Sequence, residues 1–164
     1  MKITSVIGLS LSMMTASIVA GEKIAPDFND LAPEWTLTSA KVMEKDGQKY
    51  FRLDGLSDTG IASVTYAGIP VIGVKRIKVT LKYRTDIAKS ELHDGAWYCF
   101  VFTKKGYSRG NSGFTLPFSE EWSQVENVIE IPEDVIDMSA QLRIQGVFPD
   151  SFLEAKDIAI ELEE

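Results

Sequence analysis

The feature that most constrains this chain is strict alternation of side-chain type in short runs. In "KRIKVTLKYRTD" (75–86), Ile77, Val79, Leu81 and Tyr83 interleave with Arg76, Lys78, Thr80, Lys82 and Arg84. Successive side chains of an extended strand point to opposite faces, so this period buries one face and presents the other. "AQLRIQGVF" repeats it, with Leu142 and Ile144 inward and Gln141, Arg143 and Gln145 outward. In "GAWYCFVF", Phe100 and Phe102 are the best core pair, so parity places Tyr98 with them and Trp97, Cys99 and Val101 opposite. In "WSQVENVIEI", Val125, Ile129 and Ile131 alternate with Glu126, Val128 and Glu130. No stretch sustains a helical period, and "PEDVIDM" (132–138) reads as a single turn opened by Pro132.

Turn residues separate these runs. Strands are expected at 35–44, 49–55, 61–71, 75–86, 96–106, 122–132, 139–148 and 155–164, with a short "FTLPF" run between the fifth and sixth. Asp46-Gly47 is a hairpin signal between the first two, and the Gly- and Ser-rich "GYSRGNSG" (106–113) is expected as a loop. About eight to ten strands with no strand–helix alternation predict an all-β, antiparallel sandwich or barrel.

Other classes are excluded by composition. At 164 residues, 45% hydrophobic and 10% aromatic, the chain has the length of one domain and ample material for a core. Its net charge is −7, which becomes −8 if Lys2 is removed with the first 20 residues. Such a chain is poorly suited to nucleic acid or anionic membranes. The start, "MKITSVIGLSLSMMTASIVAGEK", has the basic residue, apolar run and small residue at Ala20 of a secretory signal peptide. The expected organisation is therefore a signal at 1–20 and a single domain at 21–164, exported to the periplasm or beyond, with no membrane contact after cleavage. Cys99 is the only cysteine, so no internal disulfide forms, and its apolar strand marks it as a buried small hydrophobe.

The same residues argue against catalysis. His93 is the only histidine, which makes a Ser-His-Asp triad or a His-based metal site hard to build. Glu126 and Glu130 share a strand face but lie about 13 Å apart, too far for a simple retaining glycosidase pair. No phosphate-cradling glycine loop precedes a helix, and no GxSxG elbow occurs.

The order of elements resembles a known family. An early Trp follows an Asn/Asp-rich lead ("FNDLAPEWTL"), then come the "DGQKYFRLDG" hairpin, the alternating "IKVTLKYRTD", the aromatic "GAWYCFVFTKKG", "SEEWSQVENVIEIPEDV", "AQLRIQGVF" and a closing "AKDIAIEL". This is similar to the galactose-binding-like jelly roll of non-catalytic carbohydrate-binding modules of bacterial polysaccharide-degrading enzymes, over residues 25 to 163. The resemblance implies two face-to-face sheets and a polysaccharide or oligosaccharide ligand, with a separate enzyme or surface protein as a further partner. It also implies structural calcium, for which Asp157, Asp46 and either Asp27 or Asn29 match; the other use of these residues is to form turns.

If the outward residues share one sheet, its face carries Lys82, Arg84, Arg143, Gln145, Trp97 and Glu126. A sugar ring stacks its C–H face on an aromatic, and its hydroxyls pair with planar groups such as Arg and Gln. Arg also suits acidic sugars or sulfate. Tyr107 and Arg109, in the 106–113 loop, form the second candidate site. Trp122 and Trp35 are expected to pack. The competing account is a structural or protein-interaction sandwich with no sugar ligand, in which the basic face is only solvated and a large apolar patch is exposed.

Overall fold

The computed structural model describes residues 23–88, 94–106 and 109–164. The expected signal peptide, His93 and Tyr107 lie outside the described residues. Among the described residues eleven strands run in order: β1 (Lys23–Ile24), β2 (Trp35–Thr38), β3 (Ala40–Lys45), β4 (Gln48–Asp54), β5 (Ile61–Pro70), β6 (Arg76–Thr85), β7 (Gly95–Lys104), β8 (Arg109–Thr115), β9 (Ser119–Glu130), β10 (Val135–Gln145) and β11 (Phe152–Glu163). They form two antiparallel sheets packed as a jelly-roll sandwich. One runs β3-β4-β11-β6-β9, with β1 beside the end of β11, and the other β2-β5-β10-β7-β8.

Alternation sets the core. Ile77, Val79, Leu81 and Tyr83 of β6 are buried, facing Tyr98, Phe100 and Phe102 of β7 and Leu142 and Ile144 of β10 across the sandwich. Each such aliphatic or aromatic side chain stabilises the fold by about 1.5–3 kcal/mol relative to exposure. The lead-in closes one end of this core. Phe28 and Trp35 lie 4.8 and 5.7 Å from the fully buried Phe51, and Trp35 meets the edge of Tyr66 at 4.9 Å. Trp35 packs, as expected.

Two local expectations are corrected. The run at 35–44 is two strands in different sheets, because Ser39 takes a left-handed φ of 48° and turns the chain from one sheet to the other. Most of the expected loop at 106–113 is strand, since β8 pairs with β7 from Arg109 to Thr115. Gly113 there serves close approach: a Cβ on it would lie 2.3 Å from the carbonyl oxygen of Tyr98. The single turn expected at Pro132 is found, closed by Val135 N–H donating to Pro132 O, and β10 begins at Val135. The Asp46-Gly47 hairpin is as expected, with φ of 53° and 73° in a two-residue turn of the primed type.

Phe51→Ala should remove this aromatic junction and destabilise the protein by about 3–5 kcal/mol, read as a lower urea midpoint with an unchanged slope.

Candidate functional site

The structure divides the expected platform in two. β6 and β9 belong to the six-stranded sheet, β7 and β10 to the five-stranded one. Lys82, Arg84 and Glu126 therefore lie on one outer face of the sandwich, and Trp97, Arg143 and Gln145 on the other. Parity distinguishes inward from outward but does not say to which sheet a strand goes.

On the five-stranded sheet, residues opposite one another in register share a face. Arg143 stands between Ser63 and Trp97, and Trp97 is followed by Thr115. The next row is Thr65, Gln141, Cys99 and Gly113, while Gln145 stands opposite Gly95. Arg109 joins this face on the edge strand, opposite Thr103, and is exposed. The Arg143 guanidinium lies over the Trp97 ring, 3.5 Å from its centroid, and the two residues are 7% and 1% exposed. Trp97 is thus a bed for Arg143 and not an open stacking surface. Arg143 Nη1 donates to Gln141 Oε1 at 3.4 Å, and Cys99 Sγ reaches the same oxygen at 3.7 Å.

Arg143 Nε and Gln145 Oε1 on this face are buried without a hydrogen bond among the described residues. Buried donors and acceptors are normally paired, and an unpaired one costs about 1–3 kcal/mol. A donor and an acceptor are therefore held about 7 Å apart along one strand with capacity to spare. Burial also pulls the Arg143 guanidinium below its ordinary pKa, although Arg stays protonated.

On the six-stranded sheet the ordering group is Glu154, 2% exposed. Its two oxygens accept from Arg52 Nη1 at 2.8 Å and Arg84 Nε at 2.5 Å, while Arg52 also reaches Asp54 at 2.8 Å. Burial pushes the Asp54 carboxyl up, but hydrogen bonds from Lys41 and Arg52 outweigh it and hold the group below its usual range. Glu126 is ion-paired with Lys78 at 3.0 Å, and this bond holds the lysine above its ordinary pKa. Trp122 packs, but on the outer face. Arg84 lies 5.1 Å and Lys156 4.4 Å from its ring, with the edge of Tyr50 at 5.8 Å. Tyr50, Lys156 and Lys45 were not singled out from the sequence. Trp122 shares parity with Glu126, so its outward placement was legible.

The residues matched to calcium have other work. Asp27 Oδ1 accepts from Asn29 N–H, Asp46 forms the hairpin, and Asp157 sits at a β-bulge with a φ of 51°. Lys82 Nζ lies 2.9 Å from Asp157, and Lys49 Nζ 2.7 Å from Asn29 Oδ1, so ammonium groups already provide positive charge there. Among the described residues no group of three or more His, Cys, Asp or Glu is placed to hold a metal.

No protein-family model matches the chain, and no curated protein matches it by sequence. Solved structures do match in fold. A family 16 carbohydrate-binding module is 13% identical with a TM-score of 0.55, over 78% of this chain and 88% of that one. A CBM22 xylan-binding domain from Paenibacillus barcinonensis is 11% identical with a TM-score of 0.58, over 90% of this chain and 99% of that one. An agarase contains a similar unit, at 8% identity and a TM-score of 0.54, covering 88% of this chain and 25% of its own. The fold is therefore the jelly-roll sandwich of carbohydrate-binding modules.

Burial pushes the Cys99 thiol up to about 11, so little thiolate exists at neutral pH. Native protein should resist iodoacetamide at pH 8 and should be alkylated at one site once unfolded in guanidinium.

Proposed function

We propose that this protein is an exported, non-catalytic carbohydrate-binding module whose ligand lies along the outer face of the five-stranded sheet. The observation that carries this is the unspent pair on that face, Arg143 Nε and Gln145 Oε1. Sugar hydroxyls donate and accept at once, which is what a fixed donor beside a fixed acceptor requires. Gln141 and Gln145 are half-buried and Arg109 and Asn111 at the edge strand are exposed, so a ligand on this face meets those side chains first. Trp97 positions Arg143 by stacking, and Cys99 and Gln141 complete the row. The fold shared with carbohydrate-binding modules supports the same ligand class. Of the two carboxylates considered for hydrolysis, Glu126 is ion-paired with Lys78. Export rests on the residue pattern of the first 20 positions.

The test is an affinity-gel and glycan-array screen of the chain from Gly21 against neutral and acidic polysaccharides. Arg143→Met keeps the apolar stem over Trp97 and removes the donors, and Gln145→Ala removes the acceptor. Each should weaken binding about tenfold or more, corresponding to ~1.4 kcal/mol, with the thermal transition retained. Full binding in both variants would move the ligand off this face. Failure to bind any polysaccharide would overturn the reading.

A protein-contact role has its own observation. At one end of the sandwich Ile72 is 83% exposed beside a hollow lined by Val74, Ile131, Pro132 and Ile136. On that reading, light scattering should show concentration-dependent association that Ile72→Asp abolishes. A monomer at all concentrations removes self-association.

A further inference from the structure

We propose that a cleft beside Trp122, on the outer face of the six-stranded sheet, is a second site. It takes a carboxylate or sulfate group carried on an acidic sugar. The sugar as carrier rests on the function proposed above; the anion rests on the cleft itself.

The cleft has a volume of about 270 Å³ and is walled by Lys45, Arg84 and Lys156 against one carboxylate, Asp46. Three cations facing one carboxylate is a local excess of positive charge on a chain whose net charge is −7. Like charges held together repel, so their grouping needs a cause.

Other cations of the same sheet are neutralised. Lys41 pairs with Asp54 at 2.8 Å, Lys78 with Glu126 at 3.0 Å and Lys82 with Asp157 at 2.9 Å. The three around the cleft are treated differently. Lys156 Nζ bonds to the neutral Gln48 Oε1 at 2.6 Å and lies over the Trp122 ring. Lys45 makes no ion pair or side-chain hydrogen bond among the described residues. Arg84 gives its Nε to Glu154, whose single charge it shares with Arg52. Trp122 attracts the cations without cancelling them, because a ring quadrupole carries no net charge. Glu154 fixes the Arg84 guanidinium, so its outer edge is preorganised for a planar oxyanion.

The site is thus held positive by an aromatic and a neutral amide, in the geometry that an oxyanion completes. An acidic sugar presents that group next to a ring that can lie against Tyr50 and Trp122.

The test is calorimetric titration of the chain from Gly21 with trigalacturonate, galactotriose, a sulfated galacto-oligosaccharide and inorganic sulfate. An acidic oligosaccharide should bind about tenfold more tightly than the neutral one, and the advantage should fall in about 0.5 M NaCl. Lys45→Gln with Lys156→Gln should abolish the advantage. The already paired Lys41→Gln should keep it. Trigalacturonate alone benefiting identifies a carboxylate; the sulfated sugar alone benefiting identifies a sulfate ester. Equal affinity for acidic and neutral sugars, or an advantage that survives the double variant, overturns the proposal. Lysine-dependent binding of inorganic sulfate without any acidic sugar upholds the anion site and overturns the sugar as its carrier. Loss of neutral-sugar binding in Arg143→Met with the acidic preference intact upholds both sites as separate.

Discussion

The structure depends on burying one side of each sheet against the other. The row Ile77, Val79, Leu81 and Tyr83 on β6 is enclosed by Tyr98, Phe100, Leu142 and Ile144. Because the side-chain period of a strand is two, this single demand fixes where every other residue goes. Slipping β6 by one residue would put Lys78, Lys82 and Arg84 into the core. The functional faces are thus the remainder of the packing problem: they hold what the core refuses.

The two remainders are ordered by different means. On the five-stranded sheet, Arg143 is held by the flat face of Trp97 and lies almost out of solvent, with no carboxylate of the described residues opposite it. Desolvating a guanidinium without a counter-charge is costly, and sites that keep such a group tend to use it. On the six-stranded sheet, a buried carboxylate is matched by two guanidiniums. Glu154 fixes Arg52 and Arg84, and ion pairs extend the network to Asp54 and Lys41. The exceptions around Trp122 stand out because the surrounding pairing is so complete.

Much of this was legible. The alternating runs identified β4, β5, β6, β7, β9, β10 and β11 to within a few residues, and Asp46-Gly47 marked the first hairpin. Outward placement of Arg143, Gln145, Lys82 and Arg84 followed from parity and is found. Three things were not legible. Ser39 switches sheets with no glycine or proline to announce it. The glycines of β8 look like a loop because low strand propensity is the local signal, while close approach to β7 is a tertiary demand. Trp97 looked like a platform, but it lies beneath Arg143.

What the sequence by itself determined is the all-β class, the direction each side chain faces and the absence of a sustained helix. Those are properties of one strand, set by its own period. The tertiary structure alone decided that Arg84 and Arg143 stand on opposite sides of the molecule, that Trp122 gathers Arg84 and Lys156, and that Lys82 and Lys49 occupy the oxygens matched to calcium. Those depend on which strands pair, and pairing joins β6 to β11 and β10 to β7 across long stretches of chain. Local periodicity carries no record of such partners. It is hydrogen bonding between distant strands, and the core they enclose together, that chooses them.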